Sequence, residues 1–254
     1  NNQVDKEISQ TADKMKGDKF LLHLAAFTDV TKAYEQRGDK EGLAYKVNVE
    51  GTKNIAQTCQ KNNIHLIHIS TDYVFDGHKT TPYTETDQPN PIEWYGQTKF
   101  EAERVVLKEC SQNTILRIAF PYRDEFPDKL DIVAKTKQAI ITKTIYPQFT
   151  DTKITPTLVD DIAQIVNLVI SQKQTGLFHT TGSTQLSNYE FAVTVANFFD
   201  LEQNSIESGS LVEFLKKNSS RPYHQFLHLS NQLLTNTFNY QMKTLEEGLA
   251  IIQK

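Results

Sequence analysis

Hydrophobic and polar positions along the chain follow two rhythms, one helical and one extended. Val4, Ile8, Ala12 and Met15 recur at helical spacing and predict an amphipathic helix over Val4–Lys16, ended by Gly17. Phe20–Leu24 is a short apolar run and reads as a buried strand, and Leu43–Asn62 reads as a long helix. Ile64–Ile69 is apolar, short and rich in β-branched residues, which suits a buried strand of a parallel sheet. A polar loop with Pro82, Pro89 and Pro91 follows over His78–Glu93. Beyond it the pattern predicts a helix over Trp94–Cys110, a strand over Thr114–Ile118, a helix over Asp128–Ile141 and a strand over Gly176–Thr180. Thr155 or Thr157 is expected to cap a helix whose first turn holds Asp160 and Asp161. Ser187 and Glu190 form S-x-x-E, a capping box for a helix through Phe199, and Leu245–Ile252 is a short closing helix.

Composition narrows the class. Mean hydropathy is −0.49 and the sequence pI is near 6.0. With a net charge of −4 over 254 residues, nucleic acid and an anionic membrane are poor candidates for the main partner. No apolar run approaches the roughly 18 residues of a membrane span, and a cytoplasmic protein is expected. Cys59 and Cys110 make no CxxC and no metal spacing, so both are expected reduced in helices. Seven histidines invite a metal reading. His65 and His68 point to opposite faces of a strand, and no His–carboxylate cluster has ligand spacing, so no metal is expected. His23 and His68 read as core residues, and Asp72 and Asp76 as solvated or capping carboxylates of a turn.

Candidate chemistry concentrates around the Ile64–Ile69 run. Ser70 and Thr71 stand where that strand ends, and ligands of open α/β sheets bind outside the carboxyl ends of strands. Tyr95 and Lys99 are four residues apart, so a helix opened by Trp94 sets both on one face. A phenol can give a proton to a developing alkoxide, a nearby ammonium lowers the phenol's pKa, and a hydroxyl steadies a carbonyl oxygen. Together they are what carbonyl reduction requires.

Thr71 followed by Tyr95-x-x-x-Lys99 resembles the Thr/Ser–Tyr–Lys triad of the extended short-chain dehydrogenase/reductases. The run Ser70-Thr-Asp-Tyr-Val-Phe-Asp-Gly77 is most similar to the dTDP-4-dehydrorhamnose reductase branch, the RmlD-like substrate-binding family. Val47-Asn-Val-Glu-Gly-Thr52 and Arg117-Ile-Ala-Phe-Pro-Tyr122 resemble further family segments. The resemblance implies an α/β, Rossmann-type parallel sheet flanked by helices, with a smaller C-terminal substrate lobe. It implies a partial NAD(P)-binding domain over 1–122, with 150–180 returning to it, and a substrate lobe over 123–149 and 181–254. It further implies reduction of a nucleotide-linked 4-keto sugar by NADPH or NADH. Thr71, Tyr95 and Lys99 would then be catalytic. Ala25, Ala26, Phe27, Ser70, Tyr95, Lys99 and Phe120 would meet the cofactor. Thr71, Asp72, Phe120 and Arg221 would meet the nucleotide-diphosphate sugar. A homodimer is carried as an expectation.

Some positions depart from the family pattern. Phe120 stands where Trp is frequent, Arg123 where Gly is frequent, and His224 where the Arg-Pro-x-Asn loop has Asn. Asn48 reads either as a support for the Tyr95–Lys99 pair or as a solvent-facing residue, and Gly51 as a point of close approach. The ten glycines make no G-x-G-x-x-G or G-x-x-G-x-x-G loop for a pyrophosphate. A fragment that has lost its first strand–loop–helix is favoured over a pseudoenzyme. A nucleotide-sugar 4-epimerase and a non-catalytic subunit resembling the methionine adenosyltransferase β subunit are the rival functions.

Overall fold

The computed structural model describes residues 2–123, 130–218 and 221–253. A four-stranded sheet is laid out in the order Phe20–His23, His65–Thr71, Asn113–Ile118, Gly176–His179. The first two strands pair in parallel, with Phe20 opposite His65 and His23 opposite His68. His65–Thr71 is buried except for half-buried Ile69, as expected for a strand covered on both faces. Helices Asn2–Lys14, Thr52–Lys61 and Trp94–Glu109 contribute Ala12, Ala56, Cys59 and Val106 to one core with Leu66 and Ile115 of the sheet. The first helix stops before Gly17, whose φ of 83° lies in the left-handed region.

Two expectations fail here for physical reasons. Phe20–His23 is not a buried strand: Leu22 is 40% and Leu24 67% exposed. It stands at the sheet's edge, and an apolar run reads the same at an edge as at the centre. The long helix over Leu43–Asn62 is interrupted. An α-turn over Leu43–Tyr45 opens into a π-helical segment, Lys46–Gly51, before the α-helix Thr52–Lys61. Such wide turns often mark functional sites, and this one holds Asn48 fully buried. A Cβ on Gly51 would come no nearer than 3.5 Å to the Lys46 carbonyl oxygen, so packing among the described residues does not require that glycine.

The chain divides into two compact units. The first comprises Asn1–Asp76, Gln88–Arg117 and Val166–Phe178; the second comprises Gly77–Asp87, Ile118–Ile165 and His179–Lys254. The Pro82 loop and residues 118–122 thus group with the second unit. Its core gathers Tyr122, Ile154, Leu158, Phe191, Val195, Leu245 and Leu249. Helix Ile132–Ile141 is capped by Asp131; the start expected at Asp128 lies outside the described residues. Ser187 and Glu190 form the expected capping box, and Thr244 with Glu247 forms a second. Neither Thr155 nor Thr157 is the expected cap. Thr157 is in a two-residue strand and donates to the Ala119 carbonyl at 2.6 Å, and the helix starts at Val159. Asp161 accepts from the Tyr240 hydroxyl at 2.7 Å and the Lys243 backbone at 2.6 Å.

Candidate active site

The site is built where strand His65–Thr71 ends and helix Trp94–Glu109 begins, within the first unit. Thr71 ends the strand and caps the following turn, accepting from the Tyr73 N–H at 3.3 Å. Its hydroxyl donates to Asp72 Oδ1 at 2.9 Å. Glu93 caps the helix by accepting from the Gly96 N–H at 3.3 Å. A Cβ at Gly96 would overlap the Tyr73 carbonyl oxygen, so glycine lets this helix start press against the turn.

The four-residue spacing does what it predicts. Tyr95, Lys99 and then Glu103 follow one another along one buried helix face, 9%, 2% and 1% exposed. Lys99 Nζ donates to the Ile69 carbonyl at 2.7 Å and lies 3.5 Å from His68 Nε2. Burial lowers the Lys99 ammonium to about 8, while the Glu103 charge pulls it back up. Burial, and then the Lys99 charge, lower His23 to about 4 and His68 well below its ordinary value, so both imidazoles are held neutral. His23 Nε2 sits 3.0 Å from the Thr52 hydroxyl and His65 Nε2 2.8 Å from that of Thr114.

Two expectations about charge are corrected. Asp72 is not a solvated turn carboxylate: it is 2% exposed, and burial pushes it up to about 7. Tyr95 is not lowered by Lys99. Burial first, and then the Asp72 charge, hold the phenol above its ordinary range. Ser70, expected against the cofactor, is buried and donates to Glu103 Oε1 at 2.5 Å. The same carboxylate takes a bidentate pair from Arg117, Nε at 2.9 Å and Nη2 at 2.7 Å, with Arg117 also over the Phe75 ring. Sequence reasoning missed this ion pair. Its signal was an arginine inside a buried apolar strand, a position that demands a counter-charge.

Asn48 is the buried support and not the solvent-facing residue. Its Oδ1 accepts from the Phe27 N–H at 2.7 Å, and its Nδ2 donates to the Phe27 carbonyl at 3.2 Å and to Thr98 Oγ1 at 2.9 Å. Thr98 in turn donates to the Tyr95 carbonyl at 2.8 Å. The same side chain therefore fixes the segment after Ala25 and Ala26 and braces the Tyr95 helix. Ala25 is exposed, and Ala26 and Phe27 are half-buried.

Phe120 and Arg221 belong to the second unit. Phe120 has a φ of 43°, a strained value for a side chain of this size, and packs on the core around Tyr122. The Arg221 guanidinium lies 4.5 Å from the Tyr223 ring centroid. Among the described residues no His/Cys/Asp/Glu group is placed to hold a metal ion, and no helix is long and apolar enough to cross a membrane. Cys59 and Cys110 are buried thiols, Cys59 pushed up to about 12 by burial.

The parallel sheet, its flanking helices and the strand-end residues define a Rossmann-type dehydrogenase/reductase fold. Within that class the chain belongs to the RmlD substrate binding domain family, whose model matches residues 2–254. A dTDP-4-dehydrorhamnose reductase of Sinorhizobium fredii is 31% identical over 241 residues, 90% of this chain and 77% of the relative. The methionine adenosyltransferase 2 subunit beta of Rattus norvegicus is 32% identical over 187 residues, 68% of this chain and 55% of that one. The crystal structure of dTDP-4-dehydrorhamnose reductase from Bacillus anthracis in complex with NADP superposes with a TM-score of 0.85 at 25% identity, covering 98% of this chain and 84% of that one.

Proposed function

We propose that the protein is an NAD(P)H-dependent oxidoreductase that reduces a nucleotide-linked 4-keto sugar, as dTDP-4-dehydrorhamnose reductase does. The observation that carries this reading is Thr71 buried at the end of its strand, with Tyr95 and Lys99 one turn apart on the buried face of the helix Trp94–Glu109. The names of the relatives and of the NADP-bound neighbour support it.

The residues present fit the nicotinamide–ribose end of the cofactor. Lys99 offers a buried ammonium, the Asn48 clamp holds Phe27, and small Ala25 leaves the exit of the Phe20–His23 strand open. Ser70 faces Glu103 and is left out of this set. When bound, the nicotinamide supplies the hydride for C4 of the sugar. Tyr95 gives its proton to the oxygen that becomes an alcohol. Thr71 hydrogen-bonds that oxygen while it is still a ketone. Lys99 holds a positive charge beneath the site as negative charge develops. Arg221 pairs the diphosphate through its planar fork, and Phe120 and Asp72 contact the sugar.

The test is loss of nicotinamide absorbance with dTDP-4-dehydrorhamnose as substrate. Tyr95→Phe is expected to stay folded and lose roughly 10²–10⁴-fold in turnover, the usual worth of a positioned general acid. Turnover near wild-type in Tyr95→Phe overturns the assignment. A wild-type protein that binds NADPH without reducing any keto sugar, and is recovered in stoichiometric complex with another enzyme, favours the regulatory-subunit reading suggested by the beta-subunit relative.

A further inference from the structure

Lys99 has three N–H bonds to place and a long flexible stem on which to place them. The residue is 2% exposed, so these donors look to the protein or to a ligand for acceptors. Two acceptors are present, and they come from consecutive residues of the strand His65–Thr71: His68 Nε2 at 3.5 Å and the Ile69 carbonyl at 2.7 Å. They are the only hydrogen-bond partners of Lys99 among the described residues. With one acceptor the ammonium could swing about that single bond. Two acceptors on one strand fix it, and tetrahedral geometry then fixes the direction of the third N–H.

The contact also decides where His68 keeps its proton. Burial first, and then the Lys99 charge, hold this imidazole neutral, with one N–H and one lone pair. Facing an ammonium, Nε2 must carry the lone pair, so the proton sits on Nδ1. That atom is buried and has no hydrogen-bond partner among the described residues. His65, three residues earlier on the strand, shows the contrast. Thr114 gives its own proton to the Gln174 carbonyl and so accepts the Nε2–H of His65 at 2.8 Å. An unpaired buried donor is costly, and His68 bears that cost in the tautomer that serves Lys99. The other charged and titratable groups acting here are Glu103, on the helix of Lys99, and His23, on the edge strand. His23 is itself neutral, its ring centroid 5.2 Å from that of His68.

We propose that His68 is a positioning residue for Lys99: its Nε2 accepts the second N–H of the ammonium, which steadies the charged form and leaves the third N–H aimed for a ligand. It rests on the reductase reading for what that third N–H meets, a hydroxyl of the nicotinamide ribose. His68 acts through Lys99 and transfers no proton. Without its lone pair the ammonium keeps one protein acceptor of two. Lys99 should then lose its proton at lower pH, and its remaining N–H bonds should no longer be held in one direction.

His68→Met and His68→Gln test this as a pair, because the two side chains are similar in size and only Gln offers an acceptor. A role in packing alone predicts the same result for both. The Lys99 midpoint is read from the carbon-13 shift of its Cε in lysine-labelled protein, assigned with Lys99→Met. It should fall by roughly one pH unit in His68→Met, the worth of a hydrogen bond to a charged group. In His68→Gln it should stay close to wild type, and the alkaline limb of reductase activity should follow the same order. NADPH should bind several-fold more weakly to His68→Met than to His68→Gln. Equal Lys99 midpoints in the two variants overturn the proposal. Nitrogen-15 spectra of the wild-type imidazoles need no variant. They should show His68 as the Nδ1–H tautomer below the Lys99 midpoint, and an Nε2–H tautomer there overturns the proposal as well. No reduction of a keto sugar by the wild type, with both spectra as expected, overturns the reductase reading and leaves the Lys99–His68 pairing in place.

Discussion

Removing the Glu103 carboxylate should unfold this protein more readily than any single loss of apolar volume around it. Arg117 and Glu103 side chains are 3% and 2% exposed. In Glu103→Ala the Arg117 guanidinium stays buried without its bidentate acceptor, and Ser70 Oγ loses its acceptor as well. Breaking a buried pair from one side costs about 3–5 kcal/mol. For a chain of this size each kcal/mol moves the melting point by about 2–4 °C, so a fall of roughly 6–20 °C is expected by circular dichroism. The double variant Glu103→Leu/Arg117→Met separates the two causes. It removes both ions and their desolvation cost, and such replacements are often neutral or stabilising. It should melt well above Glu103→Ala, less only the ~1–3 kcal/mol of an unsatisfied Ser70 hydroxyl. If the double variant melts at or below the single one, the loss came from packing and the electrostatic account is refuted. The charge also reaches the chemistry. Glu103 raises the Lys99 pKa against burial, so in the double variant the alkaline limb of reductase activity should move to lower pH.

Two further outcomes are expected. Arg221→Ala should raise KM for the nucleotide-diphosphate sugar roughly 10–150-fold, the ~1.5–3 kcal/mol of a charge-assisted bidentate contact, with NADPH affinity unchanged; an unchanged KM makes Arg221 a surface residue stacked on Tyr223. His23 is lowered from 6.5 to about 4, so the unfolded chain binds more protons across that window. Stability is then full above the unfolded value and is lost as pH falls toward about 4. His23→Asn should flatten the acid side of a plot of denaturant midpoint against pH, and a slope equal to wild type would refute the neutral buried imidazole.

What the sequence made legible was local. Tyr95 and Lys99 share a face because four residues are one helical turn, and Ser187 with Glu190 caps because both partners lie within that turn. What it hid depends on neighbours far along the chain. Leu22 and Leu24 look like core, and only the strand order leaves them at an edge. Asp72 looks like a turn carboxylate, and only the arrival of Glu93 and Gly96 against Tyr73 closes it in. The π-helical segment around Asn48 carries no periodicity signal of its own, because one widened turn leaves the apolar spacing of Leu43–Asn62 almost unchanged. Arg117 and Glu103 each read correctly as strand and helix residues, and the pairing needed the sheet and helix to be brought together.

The buried charges around the strand end then follow from one constraint. Arg117 and Glu103 cancel each other. Lys99 is the remaining cation, and it forbids another beside it, which is why His68 and His23 are kept neutral by its field as well as by burial. Glu93, 6% exposed, is a further carboxylate acting on Asp72, and burial together with its charge keeps a second negative charge away from this strand end. Reduction of a ketone passes through negative charge on oxygen. A fixed cation in a water-poor site stabilises that charge without reorganising at the moment of reaction. An ionised Asp72 would oppose the field of Lys99 at the stage where that field is required.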